Sequence, residues 1–157
     1  MTDFPLVVPG SRAWIEPASW RDLNSLRHLE KVCFPQDAWP LLDLIGVLTL
    51  PNIVRLKAVA GEEMAGFIAG DIRSYEKMSW IATVGVLPEF RGQGIGRALL
   101  QACEERLTTP RVRLNVRVSN EGAIRLYRNL GYESAGLWSK YYDDGEDALV
   151  MEKVLRG

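Results

Sequence analysis

The chain predicts an α/β (α+β) fold, a sheet with helices on both faces. Three observations carry this. Short runs of β-branched and aromatic residues recur in hairpin rhythm through the middle of the chain, a glycine-rich turn joins the last of them to an amphipathic segment, and strand and helix patterns alternate from there onward. The 157 residues, 47% hydrophobic and 25% charged, match one ordinary globular domain spanning 1–157.

Residues 1–11 read as a loose lead-in, and Met1-Thr2-Asp3-Phe4-Pro5 has neither the basic nor the apolar segment of a signal peptide. Arg12 to Glu16 is the first predicted strand. Ser19 can cap a helix running to about Cys33, with Asp22 at N3, and Phe34-Pro35 stops it because proline disfavours helix in the residue before it. Leu41 to Leu48 follows as a short helix closed by Pro51. Three strands, Ile53 to Ala60, Met64 to Arg73 and Met78 to Val86, are separated by turns at Gly61-Glu62-Glu63 and Ser74-Tyr75-Glu76-Lys77. A helix then runs to about Leu107, with Ile95, Leu99, Ala102 and Leu107 on its apolar face. Arg111 to Val118 alternates, placing Val112, Leu114, Val116 and Val118 on one face and Arg113, Asn115 and Arg117 on the other. Asn120 caps a helix to Leu130 that Gly131 ends, and Tyr132 to Leu137 and Ala148 to Leu155 form two final strands around Asp143-Asp144-Gly145.

Arg91-Gly92-Gln93-Gly94-Ile95-Gly96 is the most informative stretch. Three glycines in five residues let the backbone turn sharply and a ligand approach closely. Amides at a helix start lack internal partners and carry the positive end of the dipole, which suits an anion such as pyrophosphate. A strand-to-helix turn needing glycine only for geometry explains the loop's own residues equally well. No Gly-Lys-Ser/Thr ending is present, which argues against a nucleoside-triphosphate loop. The turn also lies past mid-chain rather than after the first strand, where a dinucleotide fold would place it.

Arg-x-x-Gly-x-Gly at 91–96 resembles the acetyl-CoA pyrophosphate loop of the GNAT N-acetyltransferase superfamily. Leu114-Asn115-Val116-Arg117-Val118-Ser119-Asn120, then Ala123, Leu126-Tyr127 and Leu130-Gly131-Tyr132, resemble its ribosomal-protein-alanine (protein N-terminal) acetyltransferase branch, as do Tyr141-Tyr142, Glu146-Asp147-Ala148 and Met151. The resemblance is strong from about Ile81 to Met151 and looser before that. It implies a mixed, mostly antiparallel sheet of about seven strands flanked by about four helices, one N-acetyltransferase domain, and an acetyl-CoA-binding core over 81–151.

The implied reaction moves acetyl from acetyl-CoA, as co-substrate, to the N-terminal α-amine of a protein such as a ribosomal protein, by direct attack on the thioester. The resemblance gives the backbone of Val84 and Val86 to the pantetheine arm, as an added strand would pair. It gives the amides around Gly92, Gln93, Gly94, Ile95 and Gly96 to the pyrophosphate, with Arg91 and Arg97 adding charge. It places the Tyr127 phenol near the cofactor sulfur as proton donor or orienter and makes Asn120 both helix cap and cofactor contact. Read from spacing alone, Tyr127 is equally a member of the apolar stripe with Ala123 and Leu130. Phe34-Pro35 and Tyr141-Tyr142 would flank the peptide groove, although Phe34-Pro35 also reads as a plain helix stop.

Asn115 stands where members of the resembled branch often carry Glu or His, and an amide accepts no proton at neutral pH, so Asn115 reads either as orienting a water or the peptide or, equally, as a plain polar residue on a strand face. Glu30, Asp37, Tyr141 and Tyr142 are the other groups within possible reach. An α-amine of pKa ~8 is about one-tenth neutral at pH 7, whereas a lysine at ~10.4 is neutral in well under a thousandth, so a chain without a dedicated base favours an α-amine. A small-molecule amine acetyltransferase and a weakly catalytic acyl-CoA-binding module remain the competing readings.

A net charge of −1 argues against direct nucleic-acid binding, and the local cluster of Arg111, Arg113 and Arg117 fits a solvated strand face as well as a ligand. Cys33 and Cys103 are isolated from other ligands, so neither a metal site nor a disulfide framework is expected, and both read as small buried hydrophobes. His28, the one histidine, reads as a surface or structural residue. Trp39, Trp80 and Trp138 mark either core or a partner surface. The most apolar stretch, Leu41 to Leu50, falls far short of the ~20 residues that span a bilayer. The expectation is a cytoplasmic monomer or dimer.

Overall fold

In chain order the computed structural model, which describes residues 4–156, contains strands β1 (Leu6–Val7) and β2 (Trp14–Pro17), then helices α1 (Leu23–Cys33) and α2 (Leu41–Thr49). Strands β3 (Ile53–Ala60), β4 (Glu63–Arg73) and β5 (Met78–Val86) precede helix α3 (Ile95–Arg106). Strand β6 (Arg111–Arg117), helix α4 (Glu121–Asn129) and strands β7 (Glu133–Trp138) and β8 (Ala148–Val154) complete it. One sheet holds the strands in the order β1-β2-β3-β4-β5-β6-β8-β7. The β1–β2, β2–β3, β3–β4, β6–β8 and β7–β8 pairs are antiparallel, and β5 runs parallel to β6 with Met78–Trp80 opposite Arg111–Arg113. The described residues thus form the mixed, mostly antiparallel sheet with four α-helices that the resemblance implies; the eighth strand is β1. Two compact units emerge, one running through Asp71 and over Ala82–Leu107, the other comprising Ile72–Ile81 and the chain from Thr108.

The first unit begins where a loose lead-in is expected. Residues 1–3 of that stretch lie outside the described residues; over the rest, Leu6–Val7 pairs with Trp14–Ile15, and Val8 is buried with its N–H on Ala13 O. Burying Val8 leaves its amide no water, and the hairpin supplies the missing acceptor. Ser19 caps as predicted: its hydroxyl accepts from the Arg21 N–H and Asp22 returns the bond to the Ser19 N–H at 2.8 Å. The capped turn is a 3-10 turn, Trp20–Asp22, that leads into α1. Asp22 also holds Lys57 of β3 at 2.7 Å. Leu26 and Leu29 of α1, with Leu44, Val47 and Leu48 of α2, pack into one core with Met64, Phe67, Ala69 and Leu87. Strand β4 is buried without alternation from Met64 to Gly70, as a strand covered on both faces must be. Ile95, Leu99, Ala102 and Leu107 of the predicted apolar face are all buried, joined by Leu100 and Cys103.

In the second unit β6 buries Val112, Leu114 and Val116 and turns Arg113, Asn115 and Arg117 to the other, half-buried face. Val118 departs from the predicted face: the strand ends at Arg117, whose carbonyl takes the Asn120 N–H at 2.9 Å, and Val118 is left 40% exposed. Asn120 Oδ1 accepts from the Ala123 N–H to cap α4, and Gly131, at φ +100°, follows its end. Strand β8 lies between β6 and β7, and every residue of β7 is exposed. Among the described residues no helix is long and apolar enough to cross a membrane.

Candidate active site

The first unit holds the glycine loop. After β5 a 3-10 turn, Pro88–Phe90, is fastened by the buried Leu87, whose N–H reaches Ala65 O at 2.8 Å. The chain then passes Gly92 at φ +79° and Gly94 at φ +82°, and Gly94 is the N-cap of α3. L-residues other than glycine strain in this region, so the turn requires glycine at both positions. A Cβ at either would meet nothing within 4 Å, so this side of the loop is open to an approaching group. The first helical bond runs from the Ala98 N–H to Gly94 O, which leaves the amides of Ile95, Gly96 and Arg97 ahead of the intrahelical ladder. Arg91, Gln93 and Arg97 are exposed around them, while the Ile95 side chain is core and only its backbone faces the turn.

At the end of β5 the Val86 carbonyl already has two donors, Arg91 Nε at 2.9 Å and Cys33 Sγ at 3.4 Å. A strand-like partner along Val84 and Val86 must use their other backbone groups or displace these donors. Cys33 is therefore only half-buried and hydrogen-bonded, not a fully buried hydrophobe as expected; burial pushes its thiol pKa up, opposed by Arg91. Cys103 is the buried one, its thiol pushed up to about 12 by desolvation. Phe34 is half-buried at the C-cap of α1, and its Cε2 lies 3.3 Å from where a Cβ on Gly85 would stand. Pro35 is exposed and His28 is exposed on α1. Glu30 is 1% exposed, accepts from Thr83 Oγ1 at 2.9 Å and from the Trp39 N–H at 3.4 Å, and has its pKa raised by desolvation.

The second unit holds the tyrosines. Tyr127 is 8% exposed and edge-on to Tyr132 at 5.9 Å; burial, then the Tyr142 phenol, pushes its pKa up to about 12. Its hydroxyl thus keeps its proton across the neutral range. Asn115 Nδ2 donates to Tyr142 Oη at 3.3 Å, which gives this amide a definite task. An aromatic row continues from Tyr142 through Tyr141 (5.0 Å) and Trp138 (5.1 Å) to Trp80, stacked at 5.6 Å. The Arg117 guanidinium lies 4.1 Å above the Tyr142 ring and forks to Asp144 at 2.9 Å and Glu146 at 2.8 Å.

Those two acids sit below the usual carboxylate range. Asp144 is held there by the Glu146 backbone N–H and then by Arg117, and Glu146 by Ser119 and then by Arg117. Arg111 and Arg113 both pair with Glu152, at 2.5 and 2.7 Å, so cross-strand ion pairs account for two of the three clustered arginines. Asn120 is exposed and engaged as the α4 cap.

Sequence reasoning brought together Asn115, Tyr127 and Tyr141-Tyr142, all in the second unit, and the glycine loop with Val84, Val86 and Phe34-Pro35 in the first. It missed the structural work of Arg117 and the joining of Trp80 and Trp138 into the aromatic row. It named Glu30 only as one of four groups within possible reach; an acid at the apolar spacing Leu26, Leu29, Glu30, Cys33 was the available signal. A hollow of about 560 Å³ beside α4, at Glu121, Ile124, Arg125, Arg128 and Leu149, includes none of the predicted site residues.

The chain is 43% identical to an N-alpha-acetyltransferase of Sulfurisphaera tokodaii, over 98% of this chain and 99% of that one. It is 34% identical to the N-alpha-acetyltransferase RimI of Mycobacterium tuberculosis, over 84% and 86%. The ribosomal-protein-S18-alanine N-acetyltransferase of Escherichia coli superposes with a TM-score of 0.82 at 26% identity, covering 92% of this chain and 95% of that one. The model of the Acetyltransferase (GNAT) family matches residues 20–132, so the chain belongs to the GNAT acetyltransferase family.

Proposed function

We propose that the chain transfers acetyl from acetyl-CoA to the N-terminal α-amine of a protein. The carrying observation is the glycine loop: two left-handed glycines with open space beside them present the unbonded first amides of α3, in a chain of this family. That loop fits a pyrophosphate, which needs donors on backbone and no Cβ in the way. Acetyl-CoA supplies the acyl thioester.

The chain's own groups do the rest. Amides from Gly92 to Gly96 hold the diphosphate, assisted by Arg91 and Arg97, and Asn120 adds a contact at the α4 cap. The backbone of Val84 and Val86 aligns the pantetheine arm. Tyr127, which keeps its phenol proton across the neutral range, donates it to the departing sulfur as the C–S bond breaks, and the acetylated nitrogen releases its surplus proton to water, from which the phenolate is reprotonated. Phe34, Pro35, Tyr141 and Tyr142 wall the acceptor, and Asn115 orients Tyr142 through their hydrogen bond. With an amide at 115 the nucleophile must be largely self-sufficient, and an α-amine of pKa ~8 is.

The test is CoA release from acetyl-CoA with short peptides bearing free N-termini, against N-blocked and internal-lysine controls. Turnover confined to free N-termini is expected. A preference for internal lysine or for small amines overturns the acceptor assignment, and tight acetyl-CoA binding without any turnover overturns the catalytic one.

A further inference from the structure

We propose that Glu30 is a positioning residue for the acceptor side of the site: its buried carboxylate ties the loop between α1 and α2 to strand β5 and so sets where Phe34 and Pro35 stand. This rests on the assignment of Phe34 and Pro35 to acceptor binding.

Glu30 lies in the last turns of α1, 1% exposed, and its two oxygens reach different elements of the first unit. Oε2 takes the Thr83 hydroxyl of β5 at 2.9 Å, and Oε1 takes the Trp39 backbone N–H at 3.4 Å. Trp39 is the penultimate residue before α2, and Thr83 directly precedes Val84 on β5. One side chain therefore joins a helix, a loop and the strand whose next residues carry the cofactor backbone.

Packing alone does not fix the loop. A hollow of about 210 Å³ lies beside Glu30, lined also by Arg27, Lys31, Trp39 and Leu44, so the far end of the loop stands over incompletely filled space. Its near end is tight, since Leu29, Cys33 and Phe34 crowd Gly85. Trp39 also packs against the core at the far end, and Glu30 adds the directional bonds that tie this loop to the strand. A buried carboxyl is expensive to keep, and two specific acceptor bonds to separate elements are its return.

The experiment compares Glu30→Gln and Glu30→Met with wild type, with Thr83→Val as a second approach from the strand side. Glutamine can keep both links: its Oε1 accepts the Trp39 N–H and its amide donates to the Thr83 hydroxyl, which turns to accept. Methionine keeps length and loses both.

Expected are loss of hydrogen-exchange protection at the Trp39 amide in Glu30→Met and retention in Glu30→Gln, a readout that needs no substrate. Peptide KM should rise about tenfold in Glu30→Met, the factor one charge-assisted hydrogen bond is worth, and less in Thr83→Val. The acetyl-CoA KM should stay within about twofold in all three. Unchanged Trp39 protection and peptide KM in Glu30→Met overturn the proposal. A collapse of kcat in Glu30→Gln as deep as in Glu30→Met also overturns it, because the carboxylate would then be the proton acceptor itself. Absence of wild-type peptide turnover refutes the acceptor assignment while leaving the exchange result to judge the tether.

Discussion

Gly85→Ala tests how α1 is seated on β5. The new methyl would stand 3.2 Å from Leu29 Cδ2, 3.3 Å from Cys33 Sγ and 3.3 Å from Phe34 Cε2. Carbon pairs rest at about 3.5–4.0 Å, so each neighbour must withdraw by a few tenths of an ångström. Leu29 is 1% exposed and has no room; Phe34, half-buried, yields most easily. Overpacking of this kind costs roughly 1–3 kcal/mol, and removing glycine's freedom in the unfolded chain returns roughly 0.4–1 kcal/mol, leaving a net loss of about 1 kcal/mol. For a domain of this size that lowers Tm by about 3 °C. Thermal unfolding by circular dichroism measures it, and peptide KM should rise if the displaced ring is the acceptor wall proposed above. Phe34→Leu, which withdraws the ring edge, should shrink the Gly85→Ala loss by at least about 0.5 kcal/mol in a double-mutant cycle. An unchanged or higher Tm, or additive effects with Phe34→Leu, would refute the packing argument.

Gly94→Ala meets open space, so its cost is backbone strain alone, about 1–2 kcal/mol at φ +82°; acetyl-CoA binding by calorimetry should weaken more than peptide binding, and equal affinity would remove the loop from the cofactor site. Tyr127→Phe should lower kcat about 100-fold with acetyl-CoA affinity within about twofold, and an unchanged kcat ends its role as donor. Glu146 titrates below its ordinary 4.5, so its contribution to stability is present above pH 4.5 and is lost as pH falls through the folded value; Arg117→Gln should move its NMR midpoint upward, and a fixed midpoint contradicts the pairing. Glu30 shifts the other way, so wild-type stability falls as pH rises from 4.5 through the folded value; Glu30→Gln should lack that fall, and parallel Tm–pH curves would contradict it.

Local rules made most of the elements legible. The reciprocal Ser19–Asp22 cap, the Phe34-Pro35 stop, the alternation over Arg111–Arg117 and the Asn120 cap each act within a few residues, and the structure keeps all of them. Where a local rule was extended past its support it failed: Val118 continued the alternation on paper, but the Arg117–Asn120 turn ends the strand first. The pairing of β1 with β2 was invisible because a two-residue strand has no period to detect.

By itself the sequence determined the order of the helices and of every strand but β1, a sharp glycine-rich turn from strand to helix, and a family resemblance covering the cofactor and tyrosine motifs. Tertiary structure alone decided which polar groups meet. Glu30 and Thr83 lie 53 residues apart, Asn115 and Tyr142 27, and Arg117 and Glu146 29. Such contacts follow from sheet order and from how α1 lies on β5, which no nearby residue encodes. The physical reason is range: caps and turns are settled by neighbours along the chain, whereas a buried carboxylate's partners are settled by whatever folding brings within hydrogen-bond reach of it.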